Sequence, residues 1–196
     1  MPKDIAFFDF DGTVTSKDSM LELVKFYKGT AGFYAGMILQ LPSLIALKAR
    51  LIPAQQAKEK LLTYFFGGMH VKSFDALCNK FNEQQLPRLL RKNAMDKIKE
   101  HKNNGHAVVL VSASAENWIV PFCKENGLNY ICSKLEVVND CITGKLNGAN
   151  CNGPEKANRI KLQYDLSAYE NIHAYGDSSG DAEMLQLATE KHYRVF

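Results

Sequence analysis

The chain has 196 residues, 46% of them apolar, enough to bury a substantial core, and its length allows one domain or one domain with an insertion. Lysine and arginine total 24 against 21 aspartates and glutamates, a formal charge of +3. No basic run or basic-aromatic patch accompanies that charge, so no nucleic-acid partner is expected. The five cysteines are an odd number without a Cys-x-x-Cys pair, which reads as reduced thiols in a cytoplasmic protein. Cys132, Cys141 and Cys151 lack the usual ligand spacing of a zinc site. Met1-Pro2-Lys3-Asp4 leads straight into the first strand, leaving no room for a signal peptide.

The first element is an apolar strand, Ile5–Asp9, in the run Ile5-Ala6-Phe7-Phe8-Asp9-Phe10-Asp11-Gly12-Thr13. Residues i and i+2 of a strand point the same way, so Asp9 and Asp11 can face one cavity while the aromatic residues anchor the strand. Two carboxylates so close repel each other unless a cation sits between them or one is protonated. A hard divalent ion such as Mg²⁺, which prefers oxygen ligands, resolves the conflict. An Asp-Gly hairpin turn is the plainer alternative, but Thr13–Asp18 does not continue as a partner strand. An EF-hand loop fails because Gly12 falls too early.

From Lys17 to about Gln84 the spacing is helical throughout, with segments predicted at Ser19–Tyr27, Gly32–Leu47, Ala54–Phe66 and Val71–Gln84. Pro53 suits the start of the third and Gly67-Gly68 its end. Ala31–Leu47 contains no charge, yet Gln40, Pro42 and Ser43 interrupt it, so a spanning helix is not expected.

Beyond this stretch, strands predicted at Ala107–Ser112, Tyr130–Ser133, Ile172–Tyr175 and His192–Val195 alternate with helices, the pattern of a parallel sheet wound on both faces. A hairpin is expected between Leu135 and Lys145, turning at Asn139-Asp140. Ser112 ends an apolar strand before a helix, where a hydroxyl and free backbone N–H groups suit a phosphate. For Ser114 the expected role is only to cap that helix. Gly153-Pro154-Glu155-Lys156 opens another helix and places Lys156 in its first turn, against the helix dipole, which hints at an anionic partner. Ile172–Asp181 is a strand ending in Gly176-Asp177, with Asp181 opening the next helix either as a cap or as part of a site. Asp177, at a strand's carboxyl end, points into the crevice where open α/β sheets bind ligands.

Taken in order, Asp9-Phe10-Asp11-Gly12-Thr13, Ser112, Lys156 and Gly176-Asp177-Ser178-Ser179-Gly180-Asp181 resemble the four motifs of the haloacid dehalogenase superfamily, most of all its phosphoserine-phosphatase-like branch (subfamily IB). The resemblance implies a Rossmann-like α/β core of residues 1–15 and 88–196 with an inserted α-helical cap of the C1 type over 16–87. It implies a phosphatase acting on a small phosphorylated substrate, with Asp9 as nucleophile and Asp11 as acid and base. Ser112 and Lys156 would bind the phosphoryl group. Mg²⁺ would be held by Asp9, Asp177 and the backbone carbonyl of Asp11, and Asp181 would orient groups behind it. The carboxylate at position 11 argues against dehalogenation, because the dehalogenase branch lacks one there.

Substrate choice is left open by the same comparison. True phosphoserine phosphatases have Ser-Gly-Gly at the second motif, a cap glutamate for the substrate amine, and Asn before the last Asp; here stand Ala113-Ser114, Asp18 as the nearest cap acid, and Gly180. Residues 31–47 have three readings: cap core, a dimer contact, or an apolar surface for a lipid phosphate in peripheral membrane contact, with Lys25, Lys28, Lys48 and Arg50 nearby. The third draws on a resemblance to bacterial phosphatidylglycerophosphate phosphatases of this branch. A fold kept as a binding module without turnover is the reading from a different class. Oligomeric state is not legible.

Overall fold

Strands rich in Val, Ile, Phe and Ala, apolar on both faces, belong inside a parallel sheet, and the computed structural model, which describes residues 3–196, places them there. In chain order the elements are β1 (Asp4–Phe8), α1 (Ser19–Leu39), α2 (Leu41–Lys48), α3 (Ala54–Phe66), α4 (Val71–Gln84), α5 (Lys92–Asn103), β2 (Ala107–Ala115), α6 (Glu116–Asn126), β3 (Asn129–Ser133), β4 (Leu135–Val138), β5 (Cys141–Leu146), α7 (Pro154–Gln163), β6 (Asn171–Gly176), α8 (Ala182–Gln186) and β7 (Glu190–Tyr193). Five strands form one parallel sheet in the order β3-β2-β1-β6-β7. The chain winds from β1 outward to β3, then returns to the other side of β1, so the order reverses beside β1, where such sheets open a crevice at their carboxyl end.

The sheet divides the core. Ala6, Phe8 and Tyr175 face one cluster with Trp118 and the helical side chains Leu62, Phe66, Phe74 and Phe81, while Ile5, Phe7 and Ala174 face the second, under α7 and α8. Phe8 and Tyr175, on neighbouring strands, stack with ring centroids 4.2 Å apart. Each fully buried large side chain contributes about 1.5–3 kcal/mol relative to exposure, which holds the strand ends in register under the site.

The predicted boundaries hold for α3 and α4. The break predicted between the first two helices falls at Gly29 inside α1, whose φ of 69° and ψ of 172° kink the chain out of helical geometry, and the second predicted helix is interrupted again at Gln40, between α1 and α2. At the far end the last strand begins two residues earlier than expected, at Glu190, because His173–Gly176 of β6 pairs with Glu190–Tyr193.

Residues 31–47 correct one expectation. As cap core they should be buried, but α2 buries no residue and the second half of α1 buries only Gly36. Phe33, Met37 and Leu44 pack against the core, whereas Tyr34, Ile38, Leu39, Leu41 and Ile45 are exposed. The bend between α1 and α2 leaves each helix one partner face only, so an apolar segment long enough for two buried faces has one to spare. Among the described residues no single helix is long and apolar enough to cross a membrane; α1 and α2 pass such a test only together, and they meet at 58°.

Candidate active site

Because β1 stops at Phe8, Asp9 and Asp11 sit in the loop after the strand rather than on it. Asp9 N–H still donates to Tyr175 C=O at 2.9 Å, extending the pairing by one residue. Phe10 C=O then accepts from both Val14 N–H and Thr15 N–H, at 2.9 Å each, which curls the chain into a tight turn. Gly12 takes φ 91°, and a side chain there would collide with the Asp177 carboxylate, so the turn needs glycine for conformation and for space. The turn lets Asp9 and Asp11 line one cavity of about 360 Å³.

Lys156 organises the floor of this cavity. Pro154 starts α7 and puts Lys156 one turn in, 2% exposed, where its Nζ donates to Asp9 Oδ1 and, at 2.6 Å, to Asp181 Oδ1. Burial opposes the ammonium charge, but Asp9 and Asp181 outweigh it and hold the Lys156 pKa above its ordinary value. Burial pushes the Asp9 carboxyl up to about 7; Lys156 pulls it down, while Asp181 and Asp11 add to the rise. Asp181 is held low: burial opposes its charge, but Lys156 and the Ser178 N–H and hydroxyl favour it. Its Oδ2 accepts from Asp177 N–H, Ser178 N–H and Ser178 Oγ, so it fixes the loop after β6 rather than capping α8 with its side chain.

Asp177 stands apart from that network. One carboxylate oxygen from each of Asp9, Asp177 and Asp181 lies within 4.8 Å of the others. Asp177 Oδ1 is buried with no hydrogen-bond partner among the described residues, and burial, then Asp181, raises its pKa. The carboxylates of Asp9, Asp177 and Asp181 thus gather beside the Lys156 ammonium, and one buried oxygen among them has no donor among the described residues. That donor set fits a hard divalent cation.

Asp11 joins the floor to the helices above it. Its Oδ1 accepts from Ser19 N–H, at the start of α1, and its Oδ2 from Ser114 Oγ on β2, both at 2.6 Å. The expectation that Ser114 caps α6 is therefore wrong: Ala115 occupies the cap position without a side-chain bond, and the Ser114 hydroxyl is drawn to Asp11. Ser112 is fully buried beneath, its Oγ accepting from Ser114 N–H at 3.0 Å. Asp18 accepts from Leu21 N–H at 3.0 Å as the N-cap of α1 and lines the cavity, where desolvation, then Asp11, raises its carboxyl to about 6.

The walls above are apolar, formed by Met20, Leu21, Met37, Leu44, Leu47 and Leu61. Lys58 of α3 reaches the same cavity, and its Nζ donates to Ala113 C=O and to Asn150 Oδ1 at 3.2 Å. Both partners are neutral oxygens, and desolvation lowers the Lys58 pKa, partly offset by Asp11 and Asp18. Sequence reading missed Lys58. The available signal was a lysine beside the buried stripe Ala57, Leu61, Leu62 and Phe65 of α3. Asn152 also lines the cavity, and its Oδ1 fills the space that a side chain at position 180 would take, which accounts for glycine there.

The family model described as haloacid dehalogenase-like hydrolase matches residues 6–186. Protein CicA of Caulobacter vibrioides is 33% identical over 193 residues, covering 96% of this chain and 85% of its own. Among solved structures, a protein of unknown function from Bordetella pertussis Tohama I superimposes with a TM-score of 0.82 at 22% identity, over 96% of this chain and 88% of that one. A phospho-aspartyl intermediate analogue of phosphoserine phosphatase gives 0.70 at 18% identity, over 97% and 86%. At those identities the two structures show likeness of fold.

Proposed function

We propose that this chain, which belongs to the haloacid dehalogenase-like hydrolase family, is a Mg²⁺-dependent phosphatase that cleaves a phosphate monoester through an aspartyl-phosphate on Asp9. The observation that carries the reading is the buried Asp9–Lys156–Asp181 bridge at the floor of a cavity that Asp11 also lines. Asp9 attacks phosphorus, forming a bond from its carboxylate oxygen as the bond to the substrate alcohol breaks. Asp11, fixed by Ser19 and Ser114, gives its proton to the departing alkoxide and then takes one from the water that hydrolyses the acyl phosphate. Lys156 balances the charge that develops on the phosphoryl oxygens. Ser112, buried beneath Ser114 with its Oγ accepting from Ser114 N–H, would offer its hydroxyl hydrogen to them once substrate is bound.

Asp9, Asp177 and the main-chain carbonyl of Asp11 would hold Mg²⁺, and the unpartnered Oδ1 of Asp177 supports that assignment. When bound, the ion supplies the positive charge that keeps Asp9 ionised and offsets the phosphoryl group. Asp181 and Ser114 are positioning residues. Residues 16–87 act as a cap on the core of 1–15 and 88–196.

A second reading, a lipid phosphate hydrolysed at a membrane surface, is favoured by one observation. The apolar cavity wall of Met37, Leu44 and Leu47 belongs to the same bent pair, α1 and α2, that exposes Tyr34, Ile38, Leu39 and Ile45 on its outer face. Phosphate release from phosphoserine, a sugar phosphate and a lysophosphatidylglycerol phosphate, with and without Mg²⁺ and with Asp9→Asn as blank, tests both readings. Mg²⁺-dependent release on any arm that vanishes in the blank supports the mechanism. A lead of the lipid arm in kcat/KM supports the second reading, and absence of turnover on every arm favours a binding module.

A further inference from the structure

Four of the five histidines gather around α5, β6 and β7, at the opposite half of the sheet from Asp9. His173 lies on β6 four residues before Asp177, on the order of 13 Å along an extended strand. It pairs in register with Ala6 and Glu190. His101 comes from the last turn of α5 and His106 from the turn before β2. Nothing in the hydrolytic reading uses them.

Both nitrogens of His101 have partners, but other nitrogens of the group do not. His101 Nδ1 faces His106 Nδ1 at 2.9 Å, and His101 Nε2 meets Tyr175 Oη at 2.9 Å. Asp4 Oδ2 lies 3.6 Å from His106 Nε2 and 3.8 Å from His173 Nε2, too far for hydrogen bonds. Among the described residues, His173 Nδ1 and His192 Nε2 are buried with no hydrogen-bond partner. The rings of His106, His173 and His192 stack nearly parallel, at 12° and 16°. Stacked imidazoles with two unpartnered buried nitrogens are a costly arrangement.

We propose that His101, His106 and His173, backed by Asp4, form a binding site for one borderline divalent cation of the Zn²⁺ class. One nitrogen from each of the three lies within 4.8 Å of the others. Nitrogens around a tetrahedral ion with bonds of about 2.0–2.1 Å stand roughly 3.3 Å apart, so small ring rotations close the site. Imidazole ligands select Zn²⁺, Cu²⁺ or Ni²⁺ over Mg²⁺, which separates this site chemically from the carboxylate floor. Tyr175 Oη holds His101 Nε2 from behind and can accept its N–H when Nδ1 binds the ion, and Asp4, itself tied to Asn171 N–H at 3.1 Å, supplies counter-charge. The His106 and His173 side chains are 18% and 17% exposed, which gives the ion a way in. Bound there, it would tie the end of α5 to β1 and β6.

The test uses the full chain carrying Asp177→Asn, in excess Mg²⁺, titrated with Zn²⁺ and followed through the imidazole nitrogen resonances. One equivalent should bind, moving His101, His106 and His173 while His70, which caps α4 elsewhere, stays still. Co²⁺ in place of Zn²⁺ should give the visible bands of a tetrahedral site. His106→Gln and His173→Gln should each weaken binding beyond the roughly 10–100-fold typical of groups behind a ligand. Binding that moves His70 equally, or that survives both substitutions, overturns the assignment, as does the absence of any stoichiometric binding. If a glutamine variant fails to fold, the resonances of the Asp177→Asn chain, with its histidines intact, decide alone.

Discussion

The floor and the roof of the cavity are built on opposite principles. The floor is a charged network in which Asp9, Lys156 and Asp181 are nearly fully buried and Asp11 is held by two bonds of 2.6 Å. The roof is a set of helices, α1 to α3, that present methionine and leucine side chains inward and, on α1 and α2, expose further apolar side chains outward. A network of buried charges tolerates few arrangements, because each unpaired group costs several kcal/mol. A roof held by non-directional contacts tolerates many, which is the physical basis for one chemistry serving different substrates.

If that contrast holds, floor substitutions should remove turnover and roof substitutions should redistribute it. Asp9→Asn should lower kcat by at least about 10⁴-fold in a protein that still folds, since it removes the attacking atom. Normal phosphate release by the folded variant would sink the mechanism. Lys156→Met should cost roughly 10²–10³-fold in kcat by removing the charge that faces the transition state, read by steady-state kinetics on the same ester.

In the roof, Lys58→Met should act on KM, raising it about 10–100-fold for a substrate with a second anionic group and little for one without. An equal loss of kcat for both substrates would place Lys58 with the floor. The double variant Ile38→Asn, Ile45→Asn should leave soluble esters within about twofold, as exposed positions usually do. It should also reduce sedimentation with anionic vesicles if the outer face meets lipid. The smallest effect expected is that of Asp18→Asn. Asparagine can still cap α1, and it removes a carboxyl whose folded pKa is raised to about 6 by desolvation and Asp11. For such a raised acid the folded state is favoured below the unfolded value of 3.8, and stability is lost as pH climbs through about 6. The variant should therefore melt slightly higher than the parent at pH 8 and no differently at pH 4, as calorimetry would show.

Asp9 and Asp11 stood out as two carboxylates after an apolar run, with an Asp-Gly hairpin turn as the alternative, and Lys156 by itself reads as a solvated lysine against the helix dipole; the ordered set of motifs, not either segment alone, marked them as a site. Ser114 and Lys58 were not legible in the same way. A serine before a helix reads as a cap, and a lysine on a helix reads as solvated, until the partner across space is known; Asp11 lies 103 residues from Ser114, and Asn150 lies 92 from Lys58. Residues 31–47 left three readings open, cap core among them, because hydropathy registers a preference for leaving water and not which face finds a partner.

The sequence by itself determined the alternating strands and helices, the bounds of α3 and α4, and the set of acidic and basic residues at the strand ends, because these follow from local periodicity, turn chemistry and charge. Only the tertiary structure decided that Lys156 is shared between Asp9 and Asp181, that Asp11 ties α1 to β2, that one face of α1 and α2 is left open, and that His101, His106 and His173 converge. Those depend on contacts between residues far apart in the chain, where the energy lies in pairing and desolvation.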